Sequence, residues 1–189
     1  MAFDVASSPP PNRILICGCT GSGKSTLAAK LSTFTGLPHI RADDLTFRPG
    51  WQSVSPDEQR VIFTDICMDD AWILDHAYSI WRDIAVEQAD LIIALDYPRW
   101  VSLSRLLKRS IARAWTREPV CNGNIETFRK LFSNDSIIAW HFKSFPSKRR
   151  FIRGLEESDV ARKLVVVRHP SEVGSLVERL RAKHREAER

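Results

Sequence analysis

Apolar runs alternate with amphipathic stretches along the whole chain. Residues 13–17, RILIC, form a short continuous apolar run, the pattern of a strand buried on both faces. Residues 24–32 predict a helix that opens directly out of a glycine-rich turn. PHIRA predicts a second short strand, and 57–68 a helix with Val61, Ile62 and Ile66 at helical spacing. AWILD predicts a strand, 79–88 a helix, and DLIIALD the clearest strand of the chain. Pro98 suits the first turn of a long helix reaching about Ala114. A polar Gly/Asn stretch ends that helix, and two helical segments carry on to about Arg153. KLVVVRH predicts a fifth strand, and PSEVGSLVERLRAKHREAE a terminal helix with a charged end.

Strands alternating with helices imply βαβ crossovers, hence an α/β class with a parallel sheet covered on both faces. Ligands of such sheets bind at the carboxyl ends of the strands. Four strand ends carry residues capable of chemistry: the loop after Cys17, Asp43/Asp44, Asp75/His76 and Asp96. No internal repeat or second domain is evident. Residues 1–12 read as a flexible tail and 13–189 as one domain.

Composition narrows the classes. At 189 residues, 43% hydrophobic and 27% charged, the chain reads as an ordinary globular protein with a sizeable core. No apolar run approaches the roughly 18 residues of a membrane helix. MAFDVASSPPPN lacks the basic and apolar parts of a secretory signal. The four cysteines include no C-x-x-C pair, so neither a disulfide framework nor a zinc site is expected, and a cytoplasmic location is. A net charge of +5 favours anionic partners.

The strongest signal is Gly18-Cys19-Thr20-Gly21-Ser22-Gly23-Lys24-Ser25, which matches the Walker A pattern G-x-x-x-x-G-K-[ST] with a strand before it and a helix after. Glycines let the backbone wrap around phosphate oxygens. Successive amides form an anion nest, and the helix N-terminus adds favourable partial charge. Lys24 is expected at the β/γ-phosphates of ATP, and the Ser25 hydroxyl on Mg²⁺, with Thr26 alongside.

This loop, together with DDLTFRPGW, DHAYSIWRD, LIIALDYPR and the GN of CNGNIETFRKLF, resembles the small P-loop kinases of the adenylate kinase and shikimate kinase type. Within that group it is most similar to the adenylate-kinase-like proteins labelled topology modulation (FlaR-like) proteins. The resemblance covers nearly the whole chain after the tail. It implies the P-loop NTPase three-layer fold, with a five-stranded parallel sheet ordered 2-3-1-4-5 and a short lid over about 115–124. It also implies transfer of the ATP γ-phosphoryl group to a small acceptor.

In resembling kinases an aspartate at the position of Asp43 faces the acceptor or a metal-bound water. The other reading of Asp43 is a helix cap, which is the reading adopted for Asp44. Asp96 closes an apolar strand in the Walker-B manner and is expected to assist Mg²⁺, although apolar strands also end in turn aspartates. Asp75 stands where relatives read D-G, and His76 replaces the glycine. A side chain there tilts the acceptor away from plain AMP. His76 reads either as an acceptor contact or as a turn histidine, and Arg82 either as an acceptor-anion contact or as a surface arginine.

Arg105, Arg109, Arg113 and Arg117 recur at steps of four, on one slowly drifting helix face, with Leu103, Leu106, Leu107, Ile111 and Ala114 as the apolar side. Arginine suits bidentate phosphate contact. The resemblance implies that Arg109 and Arg113 clamp the transferring group and that Arg105 contacts ATP; the alternative is a solvated basic face. Asn122-Gly123-Asn124 reads as the lid hinge. WHFKSFPSKRRFIR interleaves aromatics with Lys143, Lys148, Arg149, Arg150 and Arg153, which suits nucleic acid. An amphipathic helix burying Trp140, Phe142 and Phe145 is the preferred reading. The resemblance also carries the adenine ring past Arg168 and His169.

Taken together, the expectation is a Mg²⁺-dependent, ATP-using P-loop kinase acting on a nucleoside monophosphate or a small hydroxyl metabolite. Lys24, Asp43, Arg109 and Arg113 are the catalytic set. Residues 18–26 with Arg105, Arg109 and Arg168 hold the nucleotide. Asp43, Asp75, His76 and Arg82 face the acceptor, and Ser25 and Asp96 hold the metal. No membrane partner is expected. The alternative is a nucleotide-dependent regulatory or nucleic-acid-binding module without kinase activity.

Overall fold

The computed structural model describes residues 9–117, 119–125, 127, 136–187 and 189. Its centre is β1 (Arg13–Gly18), flanked by β5 (Trp72–Leu74) on one side and β6 (Leu91–Leu95) on the other. β2 (His39–Ile40) extends the sheet beyond β5, and β9 (Leu164–Val167) extends it beyond β6. All four pairings are parallel, with Cys17 opposite Ala94 and Gly18 opposite Leu95.

Side chains alternate across this sheet and feed two cores. Ile14, Ile16, Ile73 and Ile93 pack against α1 (Lys24–Thr35) and α7 (Glu172–Ala187) through Leu27, Leu31, Leu176 and Leu180. Val101 of α5 (Arg99–Thr116) joins the same side. Leu15, Cys17, Trp72, Leu74 and Ile92 meet the opposite layer: α3 (Pro56–Met68), α4 (Arg82–Gln88) and α6 (Ile137–Glu156). There Phe63 stacks on Trp81 with ring centroids 3.7 Å apart, and both are fully buried. The three-layer α/β arrangement is therefore present.

Two antiparallel ribbons interrupt the alternation: β3 (Phe47–Arg48) with β4 (Gln52–Ser53), and β7 (Pro119–Val120) with β8 (Asn124–Ile125). With every strand numbered along the chain the sheet order reads 2-5-1-6-9, against the 2-3-1-4-5 expected without ribbons. A short helix, α2 (Ala42–Thr46), follows β2 directly, so PHIRA contributes only two strand residues.

Several boundaries move. The helix expected from 79 begins at Arg82, because the amides of Trp81 and Arg82 both turn back to the Tyr78 carbonyl. Pro98 caps α5 instead of opening its first turn, and α5 runs through Trp115 and Thr116, which were expected in the lid. Of the two helical segments expected before Arg153, α6 is one, opened by Ser136 accepting the Ala139 amide; the other lies outside the described residues. Of the expected tail, 1–8 lie outside the described residues, while Asn12 donates to Asp90 and accepts from the Trp72 amide at the start of the central strand. No helix among the described residues is long and apolar enough to cross a membrane. The four cysteines are free thiols, and burial pushes those of Cys17 and Cys121 up to about 11 and that of Cys67 to about 12.

Candidate active site

The turn from β1 to α1 forms an open cradle. Gly23 occupies the helix N-cap position in a left-handed conformation, so no side chain occludes the first amides of α1. Gly21 is required by contact. Its φ is 82°, and a Cβ there would stand 2.3 Å from the Ser102 carbonyl oxygen and 2.9 Å from the Leu106 Cβ. Helix α5 thus lies directly against the loop. Its buried stripe is Ser102, Leu106, Ser110 and Ala114 at steps of four, and three of these are small residues that permit this approach. Ile111, expected on the apolar side, is exposed instead.

Two side chains from outside brace the loop. Arg105 donates to the Ser22 carbonyl at 3.3 Å. His141 of α6, fully buried, donates from Nδ1 to the Thr20 carbonyl at 3.1 Å. Burial pushes its imidazole down, which fixes it as the neutral donor. Sequence reasoning passed over His141. Lys24 Nζ donates to the Cys19 carbonyl at 3.0 Å. Burial pushes its ammonium down, while Cys19, Asp43 and Asp75 push it back up and Arg109 adds to the lowering. Loop, carboxylates and arginine stripe therefore converge on Lys24.

The carboxylates separate into three roles. Asp75, buried at the end of β5, accepts from the Ala42 amide at 3.1 Å and lies 3.4 Å from His39 Nε2. Burial pushes its carboxyl up, but hydrogen bonds from His39, Ser25 and the Ala42 amide outweigh this and hold it below the usual range. Ser25 thus acts on the Asp75 charge. Asp96, expected to assist the metal, faces two arginines: Arg168 Nη1 is 3.3 Å and Arg149 Nε 3.5 Å from it. Arg168, expected at the adenine, also pairs with Glu156 at 2.6 Å and donates its amide to Glu172. His169 bonds Ser171. Asp44 pairs with Arg41 at 3.3 Å and is not a cap, since Arg41 holds the N-cap position of α2.

Asp43 faces the cleft from the first turn of α2 and accepts from the Tyr78 hydroxyl at 2.6 Å. Burial and the Asp43 charge push the Tyr78 phenol far up, so it remains a donor. His76 lies edge-on to Tyr78, centroids 4.5 Å apart, and its Nε2 is 3.0 Å from Lys148 Nζ, which reaches in from α6. Lys148 belonged to the expected basic patch. Burial, then the Lys24 charge, pushes its ammonium down to about 8. His76 is pushed well below its ordinary value by burial and by Lys148, Lys24 and Arg82. Arg82 stacks on Phe151, its guanidinium carbon 3.9 Å from the ring centroid, and lines a cavity of about 300 Å³ with Arg60, Ser79 and Phe151.

The α6 face differs from expectation as well. Phe145 is buried, but Trp140 and Phe142 are half exposed because His141, Ser144 and Ile152 take the inner positions. With Lys148 turned inward and Arg149 on Asp96, the basic run is divided between two environments.

The arginine stripe runs from loop to lid: Arg105 on Ser22, Arg109 within electrostatic reach of Lys24, and Arg113 within reach of Cys121. Arg117 ends α5 in a left-handed conformation and lines a second cavity of about 390 Å³ with Ala114, Trp115 and Thr127. The β7–β8 hairpin then latches onto segment 44–51. Asn122 Nδ2 donates to the carbonyls of Asp44 and Phe47 at 2.6 and 2.7 Å. Asn124 accepts from the Trp51 amide at 2.8 Å and donates to the Arg48 carbonyl at 3.1 Å. The expected hinge is therefore held at both asparagines, and it joins the lid to segment 44–51.

No protein-family model matches the chain. The uncharacterized protein YqaC of Bacillus subtilis (strain 168) is 29% identical over 102 residues, which cover 53% of this chain and 57% of that protein. The match thus spans little more than half the length of that relative. Among solved structures, a gluconokinase from Sinorhizobium meliloti 1021 superposes with a TM-score of 0.55 at 15% identity, over 95% of both chains. An unliganded sugar kinase from Janibacter sp. HTCC2649 gives 0.50 at 20% identity, over 90% of this chain and 92% of its own. At these identities the likeness is one of fold: the chain has an α/β fold with a five-stranded parallel sheet like that of P-loop kinases.

Proposed function

We propose that this protein is a Mg²⁺-dependent P-loop kinase, of the adenylate-kinase-like group its motifs resemble, that phosphorylates a small hydroxyl acceptor. The cytoplasm, where unpaired thiols persist, is its proposed location. One observation carries the reading. Lys24, bonded to the phosphate cradle at the Cys19 carbonyl, lies within electrostatic reach of the Asp43 and Asp75 carboxylates and of Arg109, the set of groups phosphoryl transfer needs. The glycine-lined cradle and the hydroxyl–carboxylate pair of Ser25 and Asp75 fit a nucleoside triphosphate with its metal. That pair is a better seat for Mg²⁺ than Asp96, whose charge two arginines already meet.

Bound ATP with Mg²⁺ supplies the phosphoryl group and neutralises part of its charge. The chain does the positioning. Lys24 moves from the Cys19 carbonyl to phosphate oxygens, and Arg105 and His141 hold the loop rigid beneath it. Arg109 and Arg113 close over the phosphates from α5. The Tyr78 hydroxyl fixes one oxygen of Asp43 and leaves the other to accept the acceptor's proton. The Asn122/Asn124 latch closes the lid and acceptor segment together and excludes water. The two structural neighbours described as a gluconokinase and a sugar kinase support a small polyhydroxyl acceptor alongside nucleoside monophosphates.

A screen with labelled ATP tests this. Transfer to an acceptor should exceed hydrolysis and fall about 10²–10³-fold in Lys24→Ala; hydrolysis alone across nucleotides and hydroxyl metabolites would sink it. The nucleic-acid reading is the weaker one, since Lys148 and Arg149 are engaged within the fold.

A further inference from the structure

Lys148 and His76 have no role in the transfer just described, yet α6 delivers the one onto the other inside the cleft. Two basic groups 3.0 Å apart are compatible only if one is neutral. The ammonium has only donors, so His76 Nε2 is the acceptor and His76 carries its proton on Nδ1. The groups acting on Lys148 are Lys24, Arg82, Cys17 and Asp43, with Tyr78 beneath it, its ring centroid 6.0 Å from Nζ. Cations thus outnumber carboxylates. Asp75 is not among the groups that act on Lys148; it faces His39 and the Ala42 amide. Lys24 belongs to the donor phosphates. That leaves Lys148 and Arg82 as half-buried positive charge with no ion-pair partner among the described residues, a costly arrangement that a bound anion would relieve.

Resting on the kinase reading above, we propose that Lys148, presented by His76 and seconded by Arg82, seats an oxyanion carried by the acceptor. The acceptor is then a small hydroxyl compound that also bears a carboxylate or a phosphate. Tyr78 sets the spacing. Its ring lies under the anion seat and its hydroxyl holds Asp43, so anion and reacting hydroxyl are separated by about one tyrosine side chain. His76 supplies the side-chain acceptor that holds Lys148 over the cleft. The 3.0 Å contact to His76 and a Lys148 ammonium that keeps its charge up to about pH 8 both suit this arrangement.

The test uses the full chain and acceptor pairs that differ only in the anion: AMP against adenosine, and gluconate against glucitol. A charged member should accept phosphate, and its neutral partner should show a kcat/KM about 10²-fold lower; which pair responds separates phosphate from carboxylate. Lys148→Met should raise the KM for the charged acceptor about 10²-fold while the KM for ATP stays put, and Lys148→Arg should recover part of the loss. His76→Leu should raise the same KM, and His76→Gln, which keeps an acceptor atom, should raise it less. In the wild type that KM should climb above about pH 8. Neutral members phosphorylated as well as charged ones, or a charged-acceptor KM unmoved in Lys148→Met, would overturn the inference and leave the kinase standing. Hydrolysis without transfer to any member would overturn both.

Discussion

On the kinase reading proposed here, the donor half of the cleft is one continuous stretch, Gly18 to Ser25, whereas the acceptor half gathers Asp43, His76, Arg82 and Lys148 from four separate segments. The first works through main-chain amides and a helix terminus, so its chemistry is set by local spacing. The second works through side chains whose meeting depends on how α2, α4 and α6 are seated. A contiguous site can be altered one position at a time with local consequences. An assembled site transmits each change to its partners.

Four experiments press on that contrast, the largest effect first. Lys24→Ala should lower kcat about 10²–10³-fold, the usual cost of removing one charge-stabilising donor, and leave the melting temperature unchanged. A parallel loss of stability would mean that the loop is not self-contained. Gly21→Ala should destabilise the fold by about 2–4 kcal/mol in urea titrations, combining left-handed strain with the clash on Ser102. Gly36→Ala, also left-handed but facing open space, should cost only about 1–2 kcal/mol, so equal losses would deny the close approach of α5. Asp75→Asn should raise the Mg²⁺ concentration needed for half-maximal turnover about 10–100-fold. Asp96→Asn should leave that requirement alone and weaken the Arg149 and Arg168 pairing instead; the reverse result would return Asp96 to the metal.

The smallest effect concerns Lys148, which faces His76, Tyr78, Lys24, Cys17, Arg82 and Asp43. Its folded value of about 8 lies below the ordinary 10.5, so between these pH values the unfolded chain binds a proton that the native chain lacks. Stability measured against Lys148→Met should therefore rise with pH across that window, on the order of 1 kcal/mol. A flat difference would show that Lys148 is solvated.

The contrast also governs what the sequence makes legible. The phosphate loop and the strands that bracket it follow from spacing and apolar runs. Choosing between Asp75 and Asp96 does not, because β5 and β6 both flank β1 and both end in aspartate. Only the direction in which α1 leaves the sheet decides which of them meets Ser25. Trp140 and Phe142 look like core residues by hydrophobicity, yet His141 holds the inner position because the Thr20 carbonyl needs a donor there. Lys148 looks like one member of a basic run, and nothing in its neighbours says that it alone turns inward. The two ribbons are too short to leave a periodic signal at all.

The asparagine latch reads only main-chain atoms: the carbonyls of Asp44, Phe47 and Arg48 and the amide of Trp51. It is therefore indifferent to which side chains that segment carries, provided its path is kept. On the proposed reading, mutations along 44–51 would alter what the cleft admits without loosening this contact, so substrate preference would be free to drift over evolutionary time while the closure is inherited intact.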